Sequence, residues 1–449
     1  MVDGPPRLFA YTPAIMPKPL TCPEKCNVVL IGGGGREHAL AWKIAQSPRL
    51  GMLYATDAAN AGIAQHAIPC PVPLSLKHPF HFVRWMEQHD IHLVVVGPEQ
   101  PLADGAADLL AGPKRLVFGP RQTGARIEAD KAWAKQLMRS ASVPTAEARI
   151  FRDAEQARTY AQSREEGMVV KAAGLAAGKG VVVCDSPAQA IDAIDRIMGR
   201  REFGDAGATV VIEEKLKGQE VSILALTDGR TIWTLDPCQD HKQVGEGDTG
   251  PNTGGMGAYT PTPLITDDLM ATIERDILVP TVDALRRDDI DYRGVLYAGL
   301  MLTPGGPKVL EFNCRFGDPE CQPLMARLKG DLIEILWGTA AGSLDRVEIE
   351  FDPRVACTVV MCSGGYPGEY RKGLPIKGLE EAEALRDVKV FHAGTRREDG
   401  EIVTAGGRVL AVTALGDDLR SARDRANEAC GRIHFDGAFF RRDIGHRVL

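Results

Sequence analysis

The sequence predicts a multidomain chain of α/β and α+β type: an N-terminal doubly wound parallel sheet, a central unit built on hairpins, and a C-terminal mixed α/β domain. Three observations carry that expectation. Up to about Glu128, short apolar runs alternate with segments whose apolar residues recur at helical spacing, as strands and helices winding a parallel sheet require. From Lys131 the alternation gives way to paired apolar runs joined by turn signals such as Asp228-Gly229, the mark of antiparallel hairpins. At 449 residues the chain is long enough for several domains.

The elements follow in order. Residues 1–26 hold six prolines, no serine and one arginine, so they fit neither a secretory signal nor a transit peptide and are expected to be a disordered extension. CNVVLIGGGGREHALAWKIAQ reads as strand, glycine loop and helix, with Ala39, Leu40, Lys43 and Ile44 at helical spacing. LYAT, HFVRWMEQH, IHLVVVG and PLADGAADLL continue the strand and helix alternation, which places the first unit at 27–128, with ligands at the carboxyl ends of its strands. The central unit, 129–352, opens with the helix KAWAKQLMRS and runs through MVVKA, VVVC, TVVIEEKL and the hairpin EVSILALTDGRTIWTL. A glycine-rich loop, GEGDTGPNTGGMGAY, leads to a second hairpin, YRGVLYAGLMLT and KVLEFN, turned at Gly305-Gly306. Residues 353–449 mix strands with one clear helix, DDLRSARDRANEA.

Composition narrows the function classes. With 44% hydrophobic and 25% charged residues the chain matches ordinary globular protein, and its net charge of −7 supplies no basic field for nucleic acid. The strongest apolar runs last about six residues, too short to span a membrane. Ten scattered cysteines, whose closest pairs lack a matching second half at zinc-site spacing, suggest reduced thiols in a cytoplasmic protein. Small molecules are the expected partners and a monomer the expected state.

Four stretches point to chemistry. In IGGGGREH the glycines let a phosphate approach backbone N–H groups at a helix start, and Asp57 lies at a distance suited to a ribose. The dinucleotide register from Gly32, however, puts Glu37 where a third glycine should allow close packing, so a phosphate-bearing substrate or a plain tight turn competes with a nicotinamide cofactor. In MVVKAAGLAAGKGVVVC, Gly174, Gly178, Gly180 and the alanines leave backbone N–H groups bare enough to wrap a polyphosphate, with Lys171 at a strand end and Lys179 on the loop. A solvated hairpin tip is the alternative. In VLEFNCRFGDPE, Glu311 and Asn313 stand two apart on a strand and offer hard oxygens to one face, as Mg²⁺ bridging nucleotide phosphates requires, and Arg315 continues the alternation. IEEKL followed by Glu220 suits backbone recognition of adenine and a carboxylate on its ribose.

Together these residues resemble the ATP-grasp superfamily, in which ATP lies between two α+β subdomains and activates a carboxylate as an acyl phosphate. GGREHAL, NAG, GPE, GLAAGKGVVV, QDHK, GDTGPNTGGMGAY, LEFNCRFGDPE, FHAGT and DGAFFRRDIG further resemble the phosphoribosylamine–glycine ligase family, in order from Asn27 to the C-terminus. The resemblance implies an ATP-grasp domain with a small lid subdomain at about 147–219, acting in purine biosynthesis. It implies that glycine is ligated to 5-phosphoribosylamine through glycyl phosphate, with ATP as co-substrate and Mg²⁺ or Mn²⁺ on Glu311 and Asn313. ATP phosphates fall to Lys131, Lys171 and the 174–180 loop. Adenine and ribose fall to Glu213, Glu214, Lys215, Leu216 and Glu220, and the transferring phosphoryl or the acyl phosphate to Arg315. The second substrate falls to Gly33, Gly34, Gly35, Arg36, Glu37, His38, Asn60, Gly62, Pro98 and Glu99. Glycine and the amine fall to Asp240, His241 and Lys242, to Asn252, Thr253, Gly254, Gly255, Met256 and Gly257, and to Gly317 and Asp318. Arg315, Lys171 and Asp240 are the expected catalytic residues.

The chain departs from the family pattern at Ala173, where Asp is usual, at Ala58-Ala59, where Pro-Gly precedes the NAG triplet, and at Cys321, where Thr is usual. These positions bear on loop rigidity and substrate affinity. Another ATP-grasp ligase (a carboxylase, biotin-dependent for instance, or a different amide-forming enzyme), an NAD-dependent oxidoreductase resting on the glycine loop and Asp57, and a non-catalytic nucleotide-binding regulator are the competing readings.

Overall fold

The computed structural model describes residues 20–449 apart from Ala177 and Gly178. Of the disordered extension expected over 1–26, residues 1–19 lie outside the described residues. Trp337 Nε1 donates to the Leu20 carbonyl at 2.8 Å, and Cys26, fully buried, already opens the first strand.

That strand, β1 (Cys26–Ile31), precedes helix α1 (Gly35–Ile44). β2 (Leu50–Ala55), β3 (Ile68–Pro69), β4 (Ile91–Val96) and β5 (Leu116–Phe118) complete a sheet of order β3-β2-β1-β4-β5. Every pair in it is parallel. Helices cover both faces of such a sheet, which is why Val28, Val29, Leu30 and Ile31 are buried in one continuous run rather than alternately. The strand order reverses between β1 and β4, so the glycine loop after β1 and Pro98-Glu99 after β4 flank the crevice at the switch point.

The next unit is a small antiparallel sheet of β6 (Ala148–Phe151), β7 (Met168–Ala172), β8 (Val181–Cys184) and β9 (Val210–Glu214), ordered β6-β9-β7-β8. It has its own core, in which Ala157 and Ala161 of one helix and Ala190 and Ile194 of another cover Val170 and Ile212. β10 (Gln219–Thr227) and β11 (Ile232–Thr234) form the first predicted hairpin, with Gly229 at φ 88° in its turn. Four short strands follow: β12 (Gln239–Asp240), β13 (Gln243–Gly245), β14 (Thr249–Asn252) and β15 (Gly257–Thr260). β16 (Gly294–Thr303) and β17 (Gly306–Asn313) form the second predicted hairpin, and the sheet reads β11-β10-β16-β17.

The C-terminal part contributes β18 (Val355–Cys362), β19 (Val388–His392), β20 (Thr395–Glu398), β21 (Glu401–Thr404) and β22 (Arg408–Gly416), with the helix Leu419–Arg432 packed on β18 and β22. Its main sheet is ordered β12-β15-β18-β22-β19. The glycine-rich segment is therefore split from the central unit: Gly257 to Thr260 pair antiparallel with Val359 to Ala356, across the boundary expected near 352. A shared core ties the parts together, with Leu30 and Leu40, Leu224 and Val295, and Val360 and Phe391 in one cluster.

Candidate active site

The cleft between the small sheet and β17 collects most of the predicted charges. Val169 pairs with Glu213 and Lys171 with Val211, so Lys171 and Glu213 share one face of adjacent strands. Glu213 Oε2 lies 3.0 Å from Lys171 Nζ and 3.2 Å from Lys135 Nζ, on the helix Lys131–Ser140. Lys171 Nζ also donates to the Leu310 carbonyl at 2.9 Å, reaching across to β17. Lys135 also donates to Thr145 Oγ1 at 2.7 Å, and desolvation pushes it down to about 8 against the pull of Glu213. It was missed in the sequence, although it stands one helical turn beyond Lys131. Lys131, half-buried, donates its backbone N–H to the Ala173 carbonyl (2.8 Å) and its Nζ to the Gly174 carbonyl (3.4 Å). The departure at Ala173 therefore leaves that backbone link intact.

Glu311 and Asn313 both line this cleft, as their spacing on β17 predicted. Gly299 sits opposite Glu311 in the register and leaves its side chain room. Desolvation pushes the Glu311 carboxyl up, but Lys242, Lys171, Lys131 and Arg315 together outweigh it and hold the group below the usual carboxylate range. Arg315 is more engaged than its motif suggested. Its Nε donates to Glu99 (3.2 Å), its Nη2 to Glu128 (2.7 Å) and Asn313 Oδ1 (3.3 Å), and its Nη1 to the Phe316 carbonyl (3.3 Å). Glu128, also missed, accepts the Cys314 backbone N–H through its other oxygen at 2.8 Å.

Side chains alternate at the end of β9, so Glu214 turns away from Glu213. It accepts the Glu147 N–H and pairs with Lys308, both at 3.0 Å, while Lys215 pairs with Asp185 and Leu216 is half-buried. Glu220 is brought to Lys242 (2.9 Å), two residues expected to serve different substrates. In the phosphate loop, Gly174 donates to the Ala206 carbonyl at 3.0 Å, where an added Cβ would meet that backbone at 2.7 Å. Gly180 accepts from Ala172 (2.8 Å), Lys179 is exposed, and Gly178 lies outside the described residues.

The second cluster lies at the mouth of the N-terminal sheet. Here the motif side chains turn inward. Glu37 Oε2 accepts the Gly34 N–H and its Oε1 pairs with Arg36 Nε, both at 2.6 Å, while Arg36 Nη1 donates to the Phe316 carbonyl at 3.0 Å. His38 is fully buried, with Nδ1 accepting the His392 N–H at 2.7 Å and Gly62 pressed against its ring. Asn60 Nδ2 donates to the carbonyls of Gly33, His392 and Ala393, each at 2.9 Å, and its Oδ1 accepts from Gly62 and Ile63. Pro98 packs on Gly32. Gly33 and Gly34 are half-buried, Gly35 is buried, and Gly34 and Gly35 lie beside the Asp318 carboxylate.

Arg408, which no motif signalled, joins the remaining loops. Its Nη1 donates to the carbonyls of Gly254 (2.5 Å) and Asp318 (2.8 Å), and its Nη2 lies 3.4 Å from Asp318 Oδ2. Gly317 abuts Glu320, and Cys321, fully buried, lies with Sγ 3.8 Å from the Arg36 carbonyl. Asp240 Oδ1 is buried without a partner among the described residues, under Gly255, and burial together with Glu320 pushes its carboxyl well above the usual range. His241 is buried rather than facing the site, accepts the Gly445 N–H at 3.1 Å and is pushed down to about 3 by burial. Thr253 donates to the Lys242 carbonyl (2.7 Å), Asn252 is exposed, and Met256 and Gly257 are buried under Cys362 and Ile444.

Two clusters meeting at the Phe316 carbonyl are what a two-substrate ligase needs, and comparison with known families decides which. Models of the phosphoribosylglycinamide synthetase N domain, ATP-grasp (A) domain and C domain match residues 26–128, 129–321 and 356–447. The chain belongs to the phosphoribosylglycinamide synthetase family. A phosphoribosylamine–glycine ligase of Rhodopirellula baltica is 50% identical over 433 residues, covering 95% of this chain and 98% of the relative. One from Nostoc is 50% identical over 425 residues, covering 94% and 99%. The crystal structure of phosphoribosylamine–glycine ligase from Thermotoga maritima superposes with a TM-score of 0.80 at 32% identity, over 93% of this chain and 99% of that one. The architecture is thus an ATP-grasp ligase of this family, with a doubly wound N-terminal sheet and a mixed C-terminal domain.

Proposed function

We propose that the protein joins glycine to 5-phosphoribosylamine with ATP, giving glycinamide ribonucleotide, ADP and phosphate. The observation that carries this reading is the ring of Lys131, Lys171, Lys242 and Arg315 around Glu311, set beside the glycine loop of the N-terminal sheet. A glycine carboxylate oxygen attacks the γ-phosphorus, the bond to the β-phosphate oxygen breaks, and glycyl phosphate and ADP result. The amine of phosphoribosylamine then attacks the carbonyl carbon, phosphate leaves with the carboxylate oxygen, and the nitrogen loses a proton.

The chain's part is charge placement and alignment. Lys131 and Lys171 bind the ATP phosphates, and Glu213, itself paired with Lys135, holds Lys171 in place. Glu214 to Leu216 face adenine with their backbone, and Glu220 takes the ribose. Arg315, fixed by Glu99 and Glu128, offsets charge at the phosphoryl in transit. The ribose phosphate rests on the backbone at Gly33 to Gly35, and Asp240, Lys242 and the 249–257 loop enclose glycine and the amine, keeping water from the acyl phosphate. Glu311 and Asn313 fit a hard divalent cation, but no group of three metal-ligating His, Cys, Asp or Glu side chains occurs among the described residues. Mg²⁺ or Mn²⁺ held by these two and by the nucleotide would neutralise phosphate charge.

No helix among the described residues is long and apolar enough to cross a membrane, and all ten cysteines are unpaired, which supports a cytoplasmic setting; a monomer is proposed. The test is ADP release with Mg·ATP and glycine, with and without phosphoribosylamine generated in the assay from ribose 5-phosphate and ammonia. Release that needs both, with a product mass matching glycinamide ribonucleotide, supports the reading. ADP formed without either substrate, or none with both, overturns it.

A further inference from the structure

The C-terminal tail runs along the segment 240–248 and holds it at nearly every step. The Arg447 guanidinium donates to the Asp240 carbonyl (3.4 Å), the Gly445 N–H to His241 Nε2 (3.1 Å) and Arg441 Nη1 to the Gln243 carbonyl (3.0 Å). Farther out, the Arg442 N–H donates to Glu246 Oε1 (3.1 Å) and the Gly247 N–H to Asp443 Oδ2 (2.8 Å). Three basic side chains converge on Asp248: Arg441 at 3.0 Å, Arg447 at 2.8 Å and His446 at 3.2 Å. Burial would push the Asp248 carboxyl up, but Arg447 and Arg441 outweigh that cost and hold it down to about 2.

The geometry is specific rather than a surface tangle of charges. Arg441 is 1% exposed, and its Nε and Nη2 are both spent on Asp443, which fixes the guanidinium plane. The gripped segment carries Asp240 and Lys242 at its root and the β13–β14 hairpin at its tip, where Thr249 to Asn252 are all exposed. A hairpin of two short strands is marginal by itself. Its pose therefore depends on what holds it.

We infer that Asp248, through Arg441 and Arg447 of the C-terminal tail, is a positioning residue that sets the hairpin over the glycine and amine half of the site. This rests on the reading given under Proposed function. The tail is then part of the active-site architecture although it touches neither substrate.

Asp248→Asn and Arg447→Gln test it, each alone and combined, in the full chain. Asp248 has φ 57°, which Asn tolerates, and both side chains are partly exposed, so the fold survives. Hydrogen exchange of amides 243–252, measured without substrates, is expected to quicken in each variant; unchanged exchange overturns the clasp whatever the activity. In steady state, KM for glycine and phosphoribosylamine is expected to rise about tenfold while ATP affinity and thermal midpoint hold. The double variant should lose about as much as the worse single, since both act through one hairpin. Faster exchange with wild-type KM values, or a loss of ATP affinity and melting temperature in step with KM, overturns the positioning role. Wild-type protein that makes no product refutes the proposed function instead, and leaves the exchange result standing.

Discussion

The cleft beside β17 and the N-terminal glycine loop both announce themselves as motifs, yet the structure uses their side chains in opposite ways. In the cleft, Lys171, Glu311, Asn313 and Arg315 face the space they were expected to line. In the loop, Arg36, Glu37, His38 and Asn60 are at most 7% exposed and spend their polar atoms on carbonyls, N–H groups and one another. The first motif sets its polar side chains around an open cleft. The second records how a backbone is held open. Strand alternation explains the cleft, since residues two apart on β17 must share a face. Asn60 explains the loop: one amide ties Gly33 to His392 and Ala393, so the triplet that contains it joins the N-terminal sheet to β19.

The comparison can be broken or sharpened by substitution. Glu311→Ala should have the largest effect, cutting turnover about 10³-fold with little change in melting temperature. Near-normal turnover would remove Glu311 from the chemistry. Lys171→Met should raise the ATP dissociation constant about tenfold or more, since it removes a cation buried beside Glu213 and leaves that carboxylate with Lys135 alone. An unchanged constant in equilibrium dialysis would contradict a phosphate contact.

On the loop side the expected losses are in stability. Asn60→Ala should lower unfolding free energy by about 1–3 kcal/mol in denaturant titration, with kcat of the folded protein nearly intact. A variant of normal stability but lost activity would return Asn60 to the substrate. The two buried histidines should also show as a pH dependence of stability. Burial pushes His38 well below and His392 down to about 4 from 6.5, so the unfolded chain takes up their protons first. The stability from these neutral rings is whole above pH 6.5 and is lost as pH falls toward 4. Glu383 opposes the shift of His392, and Lys389 adds to it. A denaturation midpoint independent of pH across that window would mean that the rings are not held neutral.

Much of the fold was legible because its signals are local. β1 and the glycine loop, the turns at Asp228-Gly229 and Gly305-Gly306, and the helix near the C-terminus each rest on patterns within about twenty residues. What was not legible is long-range. β12 and β15 read as part of the central unit but hydrogen-bond into the C-terminal sheet, because the partner of Tyr259 is Cys357, nearly a hundred residues later. Lys135 and Glu128 look like ordinary helical charges until Glu213 and Arg315 arrive from other elements. Arg408 carried no motif at all.

By itself the sequence determined the strands on which Lys171, Glu311 and Asn313 stand and the faces they share, because side-chain direction along a strand is set by the backbone alone; a phosphate and cation chemistry is the expectation built on that placement. The tertiary structure decided which charges meet. Glu213 between two lysines, Arg315 between two glutamates, and the tail against Asp248 depend on segments from distant parts of the chain packing together. Coulombic attraction acts between whichever groups the fold brings within a few ångströms, and no local pattern records those distances.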